Sequence, residues 1–414
     1  MRKKLGITLA CLTAFGAVTT GISSLISAPS VYAESVKNEE KTANFTTKTA
    51  ENNDKQANIH CRAKSAYLMD YNSGTVIFSQ KERERLPIAS MCKIMTLVLC
   101  FDAIKSGNLT FDEEIQISEN ASSMGGSQVF LEANAKYPVS ELIKSIVVCS
   151  ANDSCVAMAE RISGSESAFV DAMNERAKSL GCNDTLFANC TGLPKEPQYS
   201  CAKDVAFMLR ELLKNPKYFD FSKVWIDKFQ HPEGRFTEIT NTNKLVRFYD
   251  GCDGGKTGFT NQAGFCLAAT AKRDKMRLIS VVIGEENSAN RFEDSKAMFN
   301  YAFANYTVTP LVEESKPIDE IGVVSGGKEK NVKLAPLRSS YAFLKRGDKA
   351  KISLQTIVYP LRAPVSKGQT AGEIIVYKEG VEIDKIPLIA VEQVEKAGFT
   401  DRFRDIANGW NSRK

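Results

Sequence analysis

Leu86-Pro87-Ile88-Ala89-Ser90-Met91-Cys92-Lys93 is a proline-led entry into a strongly apolar run, and it sets a serine and a lysine three residues apart. Pro87 predicts a helix start, because proline is tolerated in a first turn and keeps the preceding residue from continuing a helix. On such a helix positions i and i+3 share a face, so the Lys93 amine can reach the Ser90 hydroxyl. Residues 94–101, Ile-Met-Thr-Leu-Val-Leu-Cys-Phe, are apolar on every side and predict a buried helix closed by Ser106-Gly107-Asn108. A hydroxyl held at the end of a buried helix is costly. Ser90 is therefore a candidate nucleophile.

Working outward, Ala66-Tyr67-Leu68-Met69-Asp70-Tyr71 and Thr75-Val76-Ile77-Phe78 flank Asn72-Ser73-Gly74, a hairpin signal. Downstream the pattern predicts an amphipathic helix near 139–149, a helix capped by Asn152 or Asp153, and helices around 166–180 and 202–214. Strands return with Asp253-Gly254-Gly255-Lys256-Thr257-Gly258-Phe259, 263–271 and 276–284, and a last helix is expected near 290–305. Hairpins at both ends with helices between them imply an α+β domain, one antiparallel sheet covered by a helical cluster. After Pro310 short β-rich segments at 351–359, 373–377 and 381–389 predict a small all-β domain.

The ends carry signals of another kind. Arg2-Lys3-Lys4, a mostly apolar stretch to about Ile26 and Val31-Tyr32-Ala33 predict a secretory signal peptide over residues 1–33, with an uncleaved anchor as the alternative. Residues 34–57 are polar and lack the apolar residues to bury a core, so a disordered leader is expected there. Residues 58–307 and 308–391 then form the two expected domains. In the tail, 392–414, Phe399, Phe403, Ile406 and Trp410 recur at steps of four, three and four among basic residues. That is the pattern of an amphipathic helix lying on a membrane surface, the alternative being a helix docked on its own protein.

Composition removes several classes of function. Three of the five net positive charges belong to Arg2, Lys3 and Lys4, with no acidic residue before Glu34, so the charge balance gives no reason to expect a nucleic-acid partner. The cysteines after the signal segment, from Cys61 to Cys266, are scattered without a Cys-x-x-Cys pair and several fall in apolar elements, which favours buried free thiols. His60 and His231 are the two histidines and neither lies near a cysteine or carboxylate cluster, so no metal site and no cofactor are expected.

Scarce histidine also shapes the chemistry. A Ser-His-Asp triad has poor candidates, which leaves lysine as the base for Ser90. A lysine serves as base only when neutral, and burial beside a second cation lowers its pKa. Lys256, in Gly255-Lys256-Thr257-Gly258 at the opening of a strand, fits as that cation, and Thr257 offers a hydroxyl to an anionic substrate end. Ser325-Gly326-Gly327-Lys328 repeats the Ser-x-x-Lys spacing, but Gly-Gly will not hold a helix. Ser-x-Asn occurs at Ser106, Ser118, Ser150 and Ser288, and of these Ser150-Ala151-Asn152 sits at a tight break between two apolar helices.

Taken in order, Ser90-x-x-Lys93, Ser150-x-Asn152 and Lys256-Thr257-Gly258 resemble the three signatures of the penicillin-recognising serine hydrolases. Within that family the chain is similar to low-molecular-mass penicillin-binding proteins of the D-alanyl-D-alanine carboxypeptidase type. Gly125-Gly126-Ser127-Gln128, Gly192-Leu193-Pro194 and Asp253 through Thr260 support the likeness, which covers essentially the whole mature chain. Cys92 stands where Thr or Ser is common, and Thr191 and Gln198 replace residues often seen as histidine.

The resemblance implies a β-lactamase/transpeptidase-like fold and a reaction in two stages. Ser90, deprotonated by Lys93, attacks the carbonyl between two D-alanines of a peptidoglycan stem peptide, and water releases the acyl-enzyme. By the same resemblance Ser150 relays a proton to the leaving amine and Asn152 hydrogen-bonds a substrate amide. Lys256 and Thr257 hold the terminal carboxylate, and the backbone N–H groups of Ser90 and of Phe259, next to Gly258, form the oxyanion hole. β-Lactams are expected as covalent inhibitors, and the location as the outer face of the cytoplasmic membrane. The rival activities are a class A-like β-lactamase and a peptidoglycan D,D-endopeptidase. The first needs a deacylating glutamate, and the matching Glu-x-x-x-Asn begins at Glu211, inside an amphipathic helix. A catalytically silent wall-binding protein is the rival outside enzymes.

Overall fold

The computed structural model describes residues 59–401 and residue 403. The expected signal peptide at 1–33, the polar leader and most of the expected tail lie outside the described residues.

Near-continuous apolar runs, buried on both faces, build the central sheet. β1 (Ser65–Asp70) and β2 (Val76–Gln80) pair as the expected hairpin, with Asp70 accepting from the Ser73 backbone N–H at 2.7 Å. The return strands come from the far end of the domain, and the sheet order is β2-β1-β9-β8-β7 with every pairing antiparallel. Here β7 is Cys252–Thr260, β8 is Gly264–Arg273 and β9 is Met276–Glu285.

Side chains of successive residues point to opposite faces, and both faces are buried. Tyr67, Met69, Ala268, Ile279 and Val281 join the helical core. Ala66, Leu68, Leu267, Ala269 and Val282 pack with Met298 and Phe299 of the closing helix, Ser288–Asn305. That helix begins two residues earlier than the expected span, because Asn287 caps it by accepting from the N–H groups of Ala289 and Asn290. Its Asp294 accepts from both the backbone and the guanidinium of Arg62, beside buried Cys61 and Glu285.

Between the hairpin and the return strands lies the helical cluster. α1 (Lys93–Lys105) is its axis: residues 93 to 98, Cys100 and Phe101 are all buried, as an all-apolar helix requires. Burying each such Leu, Ile or Val stabilises by about 1.5–3 kcal/mol. Around it follow the short β3 (Glu114–Gln116), α2 (Glu119–Ser122) and β4 (Lys136–Pro138), then α3 (Val139–Val148), α4 (Asn152–Ser163), α5 (Glu166–Ser179), α6 (Ala202–Leu212) and α7 (Tyr218–Ser222). A hairpin of β5 (Ile226–Gln230) and β6 (Phe236–Thr240) and the short α8 (Leu245–Phe248) lead back to β7. The closing helix, α9, hands over to β10 (Tyr306–Val312), which pairs with β13 (Ser340–Lys345).

The C-terminal part is all β, as expected, and has its own core of Val324, Leu334, Val365, Ile374, Val376, Ile386 and Leu388. Its six-stranded sheet is built on β16 (Thr370–Lys378) and β17 (Val381–Ala390), flanked by β14 (Ile352–Val358) and β12 (Asn331–Pro336). β11 (Ile321–Ser325) and the two-residue β15 (Leu361–Arg362) complete it.

Two local expectations are corrected. Pro87 does not open a helix: Leu86 bridges to Ser200, Ala89 takes a left-handed φ of +47°, and a 3-10 turn (Ala89–Cys92) precedes α1. Nor does Asn152 or Asp153 cap α4, whose cap residue is Ala151 with no side-chain bond; both polar side chains are committed elsewhere.

Candidate active site

The 3-10 turn decides how nucleophile and base meet. With three residues per turn, positions i and i+3 eclipse, and the Lys93 amine hydrogen-bonds Ser90 Oγ at 3.0 Å. Ser90 is half-buried, whereas Lys93 is fully enclosed and donates also to the Thr191 carbonyl at 2.5 Å. That carbonyl belongs to a loop locked onto the turn. Asn189 Oδ1 accepts from Thr191 N, Thr191 Oγ1 and Gly192 N, and Gln198 accepts from the Ala188 and Asn189 N–H groups and donates to the Leu193 carbonyl. Thr96 Oγ1 and Cys92 Sγ donate to the Cys190 and Asn189 carbonyls of the same loop. Cys92 is thus a buried stand-in for a hydroxyl, and burial first of all pushes its thiol far up.

β7 closes the other side. A Cβ on Gly258 would lie 2.6 Å from the Ile88 carbonyl and 3.3 Å from Ser90 N, so only glycine lets strand and turn approach this closely. Phe259 follows, half-exposed and stacked on Phe265 at 4.2 Å. Thr257 Oγ1 donates to Thr242 Oγ1 at 2.8 Å, and Thr242 N donates to the Val148 carbonyl just before Ser150. Lys256 is buried and donates to the Thr257 carbonyl at 3.1 Å.

Electrostatically the site is a nest of cations. Burial, then the charge of Lys93, with a smaller push from Arg291, lowers Lys256 to about 7. Arg291, on α9, donates to the Gly258 and Cys266 carbonyls and lies over the Phe265 ring. None of the three makes an ion pair with a carboxylate among the described residues. Cations concentrated without counter-charge suit an anionic ligand.

Ser150 and Asn152 form the remaining wall. Ser150 has a left-handed φ of +69°, and its buried Oγ has no hydrogen-bond partner among the described residues. Asn152 is 3 % exposed, its Nδ2 donates to the Gly125 carbonyl at 2.7 Å, and its Oδ1 is likewise unpartnered. A Cβ on Gly126 would lie 2.8 Å from Asn152 Nδ2 and 3.7 Å from Leu193, so this wall packs closely on the loop behind Lys93.

Sequence reasoning named Ser90, Lys93, Ser150, Asn152, Lys256, Thr257, Gly258 and Phe259; it missed the Thr191 carbonyl, the Asn189 turn and Arg291 as parts of the site. His231 takes no part, being engaged by Tyr137, Thr237 and Arg235. Glu211 is held by Arg176 and Lys214. The set of potential metal ligands among the described residues is Cys61, Glu285 and Asp294, yet both Asp294 oxygens already accept from Arg62, a poor setting for a cation.

Comparison with known proteins gives a consistent picture. A family model described as D-alanyl-D-alanine carboxypeptidase matches residues 48–287, and one described as penicillin-binding protein 5, C-terminal domain, matches residues 306–396. The chain is 38 % identical over 357 residues to the D-alanyl-D-alanine carboxypeptidase DacF of Bacillus subtilis, covering 85 % of this chain and 91 % of that one. It superimposes on penicillin binding protein 5 from Haemophilus influenzae with a TM-score of 0.65 at 30 % identity, over 81 % of this chain and 98 % of the other. Penicillin-Binding Protein D2 from Listeria monocytogenes, solved in the ampicillin-bound form, matches with a TM-score of 0.54 at 26 % identity, over 59 % of this chain and 99 % of its own.

Proposed function

The chain belongs to the D-alanyl-D-alanine carboxypeptidase family and is a serine-type carboxypeptidase, and on that premise we propose how its own residues divide the reaction. Lys93, in its neutral form, takes the Ser90 proton as Oγ attacks the carbonyl between the two D-alanines of a stem peptide. The oxyanion develops against the backbone N–H groups of Ser90 and Phe259. Lys256, Thr257 and Arg291 hold the terminal carboxylate, which makes the enzyme cut at a chain end. Asn152 Oδ1 accepts a substrate N–H, and Ser150 passes a proton to the departing D-alanine amine. Water then frees the shortened peptide from Ser90.

One observation carries this assignment: Ser90 Oγ lies 3.0 Å from a fully buried lysine amine. Release of D-alanine from diacetyl-Lys-D-Ala-D-Ala tests it. Wild type should release D-alanine and take up fluorescent penicillin, and Ser90→Ala should do neither; labelling that persists in Ser90→Ala would sink the nucleophile.

The reading extends to organisation and location. Residues 58–307 act as the catalytic domain and 308–391 as a β-rich support, a division supported by separate cores and by two family matches. Residues 1–33 direct export, and the tail rests on the outer face of the cytoplasmic membrane. In support, Phe399 and Phe403 are 84 % and 67 % exposed. No helix among the described residues is long and apolar enough to cross a membrane.

A further inference from the structure

Asp153 follows Asn152 on the first turn of α4 and is completely buried. Among the described residues no cation pairs with it. Burial pushes its carboxyl up, and backbone N–H groups from Leu131, Ser154 and Val129 pull the other way. A carboxylate without a counter-charge is costly to enclose unless its oxygens are filled by donors. Here they are filled by the main chain: Val129 N and Leu131 N both donate to Oδ2 at 3.1 Å, and Ser154 N donates to Oδ1 at 2.9 Å. Phe130, between the first two donors, has φ +63°, so the two N–H groups converge on one oxygen.

The segment tied down in this way is the one that holds Asn152. Asn152 N donates to the Ser127 carbonyl at 2.7 Å, and Asn152 Nδ2 donates to the Gly125 carbonyl at 2.7 Å. The second bond fixes which end of the amide is the nitrogen. It leaves Oδ1, buried and unpartnered, as the acceptor for substrate. On its far side the segment is held by the β5–β6 hairpin, where Arg235 donates to the Phe130 carbonyl and Thr237 to the Val129 carbonyl.

We propose that Asp153 is a positioning residue for the carboxypeptidase reaction: by anchoring residues 127–131 it sets the Gly125 carbonyl, which holds the Asn152 amide with its oxygen towards the substrate N–H. This rests on the role given to Asn152 above. Two acceptor oxygens are needed at 153 because N–H donors meet both of them. An asparagine there would turn an amine against one of those donors.

A double-mutant cycle on kcat/KM for D-alanine release tests the coupling. Asp153→Asn should lower kcat/KM roughly tenfold to a hundredfold, the scale of a misplaced binding group, with most of the loss in KM. In the Asn152→Ala background the same change should cost less than about twofold, because the group it positions is gone. Gly126→Ala, whose Cβ would lie 2.8 Å from Asn152 Nδ2, should behave alike. Asp153→Ser, which shortens the side chain without opposing two N–H groups, runs the same cycle if the asparagine variant does not fold. Equal losses in both backgrounds, or no loss in the first, overturn the proposal. Wild type that takes up penicillin but releases no D-alanine counts against the proposed activity instead, and the cycle is then read from the penicillin acylation rate.

Discussion

Replacing Lys256 by methionine should make this enzyme more stable and inactive. The lysine is enclosed, and its pKa falls from 10.5 to about 7, first through burial and then through Lys93. A base whose pKa falls on folding binds fewer protons in the folded state. Its penalty is therefore absent above about pH 10.5, grows as the pH falls, and is complete below about pH 7. At 1.36 kcal/mol per decade the full penalty is about 5 kcal/mol. Methionine fills a similar volume without charge, so Lys256→Met should raise the unfolding midpoint of the catalytic part by roughly 10 °C or more at pH 6 and by little at pH 10. Calorimetry of both proteins across that range is the measurement. D-Alanine release should be lost at every pH, since the carboxylate has lost a holder. A midpoint gain that does not change with pH, or a variant less stable than wild type at pH 6, would refute the reasoning.

Glu285 should show the opposite slope. Burial, and then the neighbouring Asp294, raises its carboxyl above the usual range, so wild type loses stability as the pH climbs from about 4.5 to the raised value. Glu285→Gln, followed by thermal unfolding, should gain over wild type by an amount that grows across that window and is flat above it. Gly258→Ala forces its Cβ to 2.6 Å from the Ile88 carbonyl, so strand and turn must part. Penicillin acylation should fall by roughly a hundredfold or more, while far-UV circular dichroism stays that of wild type.

How much of this could be read from the chain depends on what carries the information. The nearness of Ser90, Lys93 and Lys256 was legible because scarce histidine makes lysine the candidate partner of the serine, although the downward shift found is that of Lys256 itself. The sheet was legible in the apolar runs at 66–69 and 276–283, set apart by turn residues at both ends of the domain. The Thr191 carbonyl was not, since a main-chain acceptor leaves no mark in residue identity. Arg291 hides in a helical pattern where arginine is ordinary, and only its place just after β9 hints at the site. Ala89 is the instructive failure. Proline argued for a helix, but the chain takes a left-handed step at an alanine, a strain of the kind that functional sites retain. Asn152 and Asp153 failed as caps for a related reason, their side chains being drawn to residues 125–131.

The pairing of Ser65 with Ile283 and of Met69 with Ile279 joins the first strand to nearly the last one of the catalytic part. Contacts so distant along the chain close slowly, because the entropy of a long loop is lost before any pairing repays it. Ser90 and Lys93 leave the ribosome early, but the strand carrying Lys256 and the one beside β1 follow much later. Until they do, β7 cannot close over the turn that carries Ser90, and the proposed pocket has only one of its walls. The proposed acylating centre is thus assembled only when the architecture of the sheet is nearly complete.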